Sequence, residues 1–136
     1  MPFTGNYTCD VFKIGLFDGD FDFSGDTFYL ALYTNSATLD ASTTAYTTTG
    51  EVSGGNYVAG GQVLTPTVAI ANGVSYVTFA NVSWTGAITA RGALIYKAGA
   101  NGAVCVLDFG SDKTSSTSFQ VQFPAATSDS AIIRLS

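Results

Sequence analysis

A run of aspartates near the N-terminus is the one group of side chains whose spacing suggests cation binding. Four of the ten acidic residues lie close together, at Asp18, Asp20, Asp22 and Asp26. Alternating carboxylates are ligands that calcium prefers, and the series from Asp20 matches the start of an EF-hand loop. That loop ends in a bidentate glutamate, whereas this chain has Ala31 there. The incomplete match makes calcium the weaker interpretation and favours a solvated turn whose aspartates cap backbone amides.

The residues needed for acid–base or nucleophilic catalysis are sparse. The chain contains no histidine, which removes the commonest general base, the commonest zinc ligand and any Ser-His or Cys-His pair. Glu51 is the only glutamate, and the aspartates share one loop instead of facing each other across a cleft. Arg91 could recognise a ligand, but pairing with Asp108 or a backbone carbonyl is the favoured interpretation. We therefore predict a protein that is not an enzyme and binds no cofactor.

Composition and charge limit the partners. The net charge is −5, so the chain offers no basic surface for the phosphates of a nucleic acid. It shows neither the basic and apolar segments of a secretory signal nor an apolar run long enough to span a membrane, so neither is expected. Cys9 and Cys105 could form one disulfide, but free, buried thiols are favoured in a protein made in the cytoplasm. The 136 residues are enough for one domain.

Two hairpins dominate the predicted secondary structure. The segment 88–110 predicts two strands joined at Asn101-Gly102, a dipeptide typical of the type I′ turn. Its second arm is apolar on both faces, so we place that arm in the centre of the sheet. Segments 67–71 and 74–80 flank Asn72-Gly73 and predict a second hairpin with the same turn chemistry. Together they indicate an antiparallel architecture.

The remaining segments complete an all-β prediction. Residues 27–34 alternate as a strand, and apolar spacing over residues 11–17 favours one short helix. The small polar residues of 35–50 suggest a surface excursion. We predict a single antiparallel β-sandwich of about eight strands over residues 11–136, of jelly-roll or immunoglobulin-like connectivity. Residues 1–10 form an extended arm that either packs along its own domain or reaches a neighbour.

Aromatic side chains are the candidate partner-binding residues. Tyrosine is enriched at the energetic centres of protein interfaces, although sandwich cores also use it. The arm contributes Phe3 and Tyr7, and the Thr-rich loop contributes Tyr46. Trp84 is either a core residue or an exposed anchor. We predict that Phe3, Tyr7, Tyr46 and Trp84 include the residues that contact partners.

Several long segments carry a resemblance to known proteins. They are TFYLALYT, EVSGGNYVAGG, ARGALIY and VLDFGSDKTS, which begin at Thr27, Glu51, Ala90 and Val106. In these segments the chain resembles a group of small virion proteins encoded by tailed bacteriophages. The likeness runs from Phe12 to the C-terminus and leaves residues 1–11 outside. It brings no catalytic or ligand residues.

The resemblance implies a structural role in a virion after synthesis in the cytoplasm of the bacterial host. The first hypothesis is a capsid decoration, or cement, protein that bridges subunits of the major capsid protein. Such a protein would be a homo-oligomer, and a trimer around local threefold positions is one arrangement. An alternative is a receptor- or glycan-binding module of a tail fibre or tail tip, using Trp84, Tyr46 and the loop Asp18–Asp26. A head-to-tail connector component is a further alternative. None of these roles requires a nucleic acid or a membrane as partner.

Overall fold

The computed structural model describes residues 3, 5–124, 127 and 131–135, and these residues form ten strands and one short helix. The elements in chain order are β1 (Tyr7–Thr8), α1 (Asp10–Asp18), β2 (Phe28–Tyr33), β3 (Gln62–Val63), β4 (Pro66–Ala71), β5 (Val74–Phe79), β6 (Val82–Thr85), β7 (Thr89–Lys97), β8 (Ala103–Thr114), β9 (Ser118–Val121) and β10 (Ile133–Leu135). Within this described part, no helix is both long and apolar enough to cross a bilayer.

The strands form three antiparallel sheets. Five strands pair in the order β1-β8-β7-β2-β3, three in the order β10-β5-β4, and β6 pairs with β9. Every pairing among them is antiparallel, and the sheets make a sandwich-like fold with no closed barrel. The predicted all-β sandwich is therefore confirmed. Its strands number about ten instead of eight, in part because β1 and β3 are only two residues long.

The central strand is the first arm of the long hairpin, not the second arm as predicted. β7 lies between β8 and β2, and it is buried on both faces from Ala90 to Tyr96. β8 is fully buried only over its first four residues and becomes exposed towards Thr114. The prediction was wrong because, among the described residues, β8 gains only the short β1 on its outer side, and no described strand pairs with the outer side of its second half.

The two predicted hairpin turns have different outcomes. Asn72 and Gly73 both have positive φ angles, of 54° and 76°, and they close the β4–β5 hairpin as predicted. The β7–β8 connection is instead a five-residue loop over 98–102. Its positive φ angles fall at Gly99 and Asn101, and the Gly102 carbonyl accepts the Lys97 N–H at 2.8 Å. The prediction of a two-residue turn there was wrong.

The predicted short helix is confirmed and packs on the five-stranded sheet through aromatic rings. Phe12 meets Phe21 edge-on with the ring centroids 4.9 Å apart, and Phe23 stacks on Phe28 at 4.5 Å. Gly15 explains how this is possible, because a Cβ there would lie 2.4 Å from the Phe21 ring. The glycine costs helix propensity, but it lets the following loop fold back over the helix.

The described residues of the N-terminal arm pack along their own domain. Phe3 is 1% exposed and lies in the core, and β1 pairs with β8. Cys9 and Cys105 are both buried free thiols, and burial raises the pKa of Cys9 to about 11.

The loop 35–50 is more than a surface excursion, since Ala37 and Leu39 are buried. The other residues of this loop are half-buried or exposed, so it runs over the surface with these two apolar residues anchoring it to the core.

Candidate interaction surfaces

Three large apolar side chains are exposed on α1. Ile14, Leu16 and Phe17 expose 63%, 40% and 92% of their surface, while Phe12 on the same helix is buried. The apolar periodicity that predicted this helix therefore covers more than the face that packs on the core. Ile14 and Phe17 are three residues apart and share one side of the helix, with Leu16 on the next side. Exposed apolar side chains that lie together typically mark contacts with other molecules. We call Ile14, Leu16 and Phe17 the helix patch.

The aspartate loop follows directly after the helix patch and holds itself together by hydrogen bonds. The Asp22 carboxylate accepts the Ser24 N–H at 2.9 Å, and Asp26 accepts the Asp22 N–H at 3.0 Å. The Lys97 ammonium lies 3.1 Å from the Asp26 carboxylate and also donates to the Asp20 carbonyl. The hydrogen bond from Asp22 and then the contact with Lys97 hold the pKa of Asp26 below its usual value.

These contacts support the interpretation of this loop as a turn whose aspartates cap amides. Within the described residues, no three acidic, cysteine or histidine side chains are grouped as metal ligands would be. Asp18, Asp20 and Asp22 are exposed, so they place negative charge around the helix patch. The helix has no basic residue in its own last turn, but Lys97 of β7 donates to the Asp20 carbonyl just beyond it. Exposed carboxylates therefore lie at the C-terminal end of the patch, whereas Lys13 lies one helical turn before Phe17.

Arg91 is part of a buried ion pair, as the favoured sequence interpretation predicted. Its guanidinium donates to the two Asp108 carboxylate oxygens at 3.0 and 3.4 Å, and the two side chains are 8% and 11% exposed. Burial works to raise the pKa of Asp108, but the Gly110 amide and Arg91 outweigh it and lower this pKa. The arm closes over the pair, because Phe3 lies 5.9 Å from the guanidinium and Asn6 accepts the Asp108 N–H. This contact is structural.

Glu51 is the centre of a tyrosine network that fixes the long loop, residues 35–50, to β2. Its carboxylate accepts hydrogen bonds from the hydroxyls of Tyr46 and Tyr57, at 2.6 and 2.5 Å, and from the Gly60 N–H at 2.8 Å. The Tyr57 hydroxyl in turn accepts the Leu32 N–H at 3.0 Å. The only glutamate of the chain is thereby used to position backbone, and every one of its described contacts lies within the fold.

Burial and this network raise the pKa values of four tyrosines. Burial, followed by the hydrogen bond to Glu51, raises the pKa of Tyr46 to about 12. Burial raises the pKa values of Tyr33, Tyr57 and Tyr96 further, and the negative charge of Glu51 adds to the effect. All four phenols are therefore neutral near pH 7, and their hydroxyls serve as hydrogen-bond donors.

The predicted partner-binding aromatics lie mostly inside the fold. Phe3 and Trp84 are 1% and 4% exposed and belong to the core. Tyr7 is half-buried in β1. Tyr46 is half-buried and stacks on Tyr96 with the ring centroids 4.8 Å apart. In this conformation only Tyr7 and Tyr46 offer part of a side chain to a partner.

Tyr46 lines a shallow groove, which we call the tyrosine groove. Tyr29, Tyr46 and Tyr96 form its aromatic walls, and the β7–β8 loop forms its rim. Its volume is about 420 Å³. Tyr96 stands between the other two rings, and its hydroxyl donates to the Gly60 carbonyl at 2.6 Å. The groove can therefore present aromatic surface, with few polar groups to orient a ligand.

The three-stranded sheet carries a second exposed apolar surface. Val68 and Ile70 of β4 and Leu135 of β10 are 50%, 74% and 63% exposed. Residues that pair directly share a face, so these three lie on the same side as Val77, which is buried. The apolar face of this sheet thus begins in the core and continues into solvent. We call Val68, Ile70 and Leu135 the sheet patch.

Neither the helix patch nor the sheet patch was predicted from the sequence. The sequence predicts aromatic contact residues, whereas most of the large exposed apolar side chains are aliphatic. One signal was present for the part of the sheet patch on β4: no charged residue lies between Glu51 and Arg91. Exposed edge strands ordinarily carry charges, so a strand from this stretch is unusual at a sheet edge.

The comparisons with known proteins add no assignment. No family model matches the chain, and neither the curated proteins nor the solved structures include one with significant similarity to it.

Proposed function

We propose that this protein is a non-enzymatic structural protein of a bacteriophage virion, a capsid decoration protein that bridges subunits of the major capsid protein. The resemblance of its strand segments to small phage virion proteins suggests the setting. The observation that carries a bridging role is the helix patch, where Phe17 is 92% exposed. A phenyl ring so fully in water is costly in an isolated protein and favourable in a contact.

The energy available from the helix patch suits a contact repeated many times on a particle. Its three side chains expose roughly 350 Å² of apolar surface, which corresponds to roughly 9 kcal/mol on complete burial at 25 cal/mol per Å². Loss of translational and rotational freedom offsets much of this energy in a single contact. Attachment at more than one point on a shell adds avidity without any further contact within the protein.

The charges around the patch define the capsid surface that fits it. Asp18 ends α1, Asp20 and Asp22 lie in the loop after it, and all three carry exposed carboxylates at one end of the patch. The complementary surface is an apolar depression with basic residues at its rim, and rim charges act mainly on the association rate. Attachment should therefore weaken as salt is added, because exposed charges are screened.

Co-sedimentation with capsids assembled without this protein tests the proposal. Wild-type protein is expected to co-sediment to saturation, and Phe17→Asp to bind at least roughly tenfold more weakly, since a charge replaces the main apolar contact. Val63→Asp is the matched control, because Val63 is 57% exposed but lies on β3. Equal binding by wild type and Phe17→Asp would rule out the helix patch, and no binding by wild type would rule out the cement role.

Deletion of the N-terminal arm is not a suitable test. It would remove Phe3 and Cys9 from the core and β1 from the sheet, so lost attachment could simply reflect unfolding. A point variant on α1 avoids this problem, because the side chain of Phe17 is almost entirely in solvent.

A second candidate function rests on the tyrosine groove. A receptor- or glycan-binding module on a tail fibre or tail tip would use Tyr29 and Tyr46 as an aromatic platform for an apolar sugar face. Quantifying the protein in separated heads and tails distinguishes the two roles. Recovery with the heads supports a decoration protein, and recovery with the tails supports an adhesion module.

A further inference from the structure

The outer edge of β4 has the properties of a strand that pairs with another chain. β4 is the last strand of the order β10-β5-β4, and no described strand pairs with its outer side. Natural edge strands are normally protected by charges, bulges or a covering segment. β4 contains no charged residue, and its pairing with β5 runs without a bulge from Pro66 to Ala71.

The hairpin geometry fixes which backbone groups face outward. In a two-residue hairpin the residues that flank the turn exchange both hydrogen bonds, so Ala71 and Val74 form such a pair. Every second residue of β4 then bonds inward to β5, and the Ala80 N–H donating to the Thr65 carbonyl at 3.1 Å fits this alternation. The N–H and C=O groups of Val68 and Ile70 therefore point away from β5.

The charge distribution indicates what covers this edge. The net charge is −5, yet the whole stretch from residue 52 to residue 90 is uncharged. An acidic or basic partner would find no charge to pair with on β4. A second copy of this chain is repelled by the acidic remainder of the molecule and can approach closely only through such an uncharged surface.

We propose that two copies of this chain pair β4 with β4 in antiparallel orientation about a twofold axis through Ala69. Val68 of one copy then exchanges two backbone hydrogen bonds with Ile70 of the second copy, and symmetry repeats the exchange. The two three-stranded sheets become one sheet of six strands, and Val68 and Ile70 of the two copies lie side by side on one face of it. A twofold pair follows from the antiparallel edge, and it does not depend on the proposed virion role.

The size of the contact predicts a weak dimer in equilibrium with the monomer. Strand pairing over five residues with two large apolar side chains per copy, Val68 and Ile70, falls at the low end of specific interfaces, below roughly 1,200 Å² in total. We expect a dissociation constant on the order of 10 µM, so monomer and dimer are both populated at ordinary working concentrations.

Sedimentation velocity on the full chain, from about 1 to about 200 µM, measures this equilibrium, and the weight-average mass should approach twice that of the monomer. Val68→Pro is the main variant, because it removes one outward N–H and no bond to β5. Pro66 already occupies an equivalent outward position in β4. We expect at least a tenfold weaker dimer for Val68→Pro and for Ile70→Lys, whereas Phe17→Lys on the helix patch should dimerise like wild type.

Hydrogen exchange identifies the edge independently. The amides of Val68 and Ile70 should exchange more slowly as concentration rises, while the Ala69 amide, directed towards β5, should not respond. Circular dichroism checks that each variant is folded, and Ile70→Lys keeps the test decisive if Val68→Pro unfolds. A wild type that stays monomeric at the highest concentration overturns the proposal, as does a dimer that Ile70→Lys leaves intact or Phe17→Lys dissociates.

Discussion

The Glu51 network allows a quantitative test of what holds the long loop on the sheet. In Glu51→Gln the carboxamide oxygen can still accept from Tyr57 and Gly60, and the Tyr46 hydroxyl can turn to accept from the new NH₂ group. The change therefore removes the charge of the acceptor while keeping the geometry. Hydrogen bonds to charged groups contribute about 1.5–3 kcal/mol against about 1 for neutral ones, so we expect a loss of about 2 kcal/mol.

Glu51→Ala should cost more than Glu51→Gln, because it leaves the Tyr57 hydroxyl and the Gly60 N–H without an acceptor in a partly buried site. Two such groups add about 2 kcal/mol, for a total loss of about 4 kcal/mol. The assay is equilibrium unfolding in urea, and the smaller loss corresponds to a fall in Tm of roughly 6–10 °C for a domain of this size.

Asp112→Asn is the matched control for the removal of a negative charge. Asp112 is exposed on β8, so its free energy of unfolding should stay within about 0.5 kcal/mol of wild type. The reasoning would be refuted if Glu51→Gln were as stable as this control. It would also be refuted if Glu51→Ala were no less stable than Glu51→Gln, since the acceptor geometry would then contribute nothing.

Four further predictions follow from named contacts. Asp108→Ala should lose about 3 kcal/mol in urea unfolding, because it leaves the buried Arg91 guanidinium without its carboxylate and with a 3.4 Å hydrogen bond to Asn35. Asp26→Ala should lose much less, because the side chains of its ion pair with Lys97 are 24% and 35% exposed. Stability should begin to fall from about pH 8 and should fall more steeply from about pH 10. Burial raises the pKa of Cys9 to about 11 and that of Tyr46 to about 12, so the unfolded chain releases these protons at lower pH than the folded chain. A urea midpoint that does not fall as thiolate and tyrosinate absorbance grow would contradict this. Gly61→Ala should be far less stable than Gly99→Ala. Both residues have positive φ, but only at Gly61 would a Cβ meet a carbonyl oxygen, that of Leu30, at 1.8 Å. Equal thermal stability of the two variants would show that the chain relaxes around the clash. The melting temperature should be the same in calcium and in EDTA, and a rise with calcium would show that the aspartate loop binds the ion.

The hairpin elements could be predicted because their signals are local. Asn72-Gly73 specifies its turn from two residues, and the structure confirms it. Asn101-Gly102 carries the same letters but lies in a longer loop, because Gly99 supplies another position of positive φ and extends the connection. A turn dipeptide therefore predicts a reversal of the chain, while neighbouring glycines influence its length.

Candidate contact residues were harder to predict, because exposure depends on what the rest of the chain covers. Trp84 and Phe3 could be anchors or core residues by sequence, and the packing of the sheets and the arm places both inside. Phe17 and Ile70 are typical core residues by type, yet nothing in the described chain packs over them. The network around Glu51 joins Tyr46, Tyr57 and Gly60, which approach one another only when the long loop folds back.

The amino-acid sequence by itself determined the all-β class, the antiparallel hairpins and the short helix, and it limited the favoured partners of Arg91 to Asp108 or a backbone carbonyl. Each of these follows from side-chain periodicity, turn chemistry or the cost of a buried charge, which act over short distances or on few alternatives. Only the tertiary structure decided that β7 is the central strand, that the arm closes over the ion pair, and that the helix patch and the edge of β4 stay uncovered. Those features depend on which strands find neighbours, and a neighbour distant in the sequence leaves no local signal.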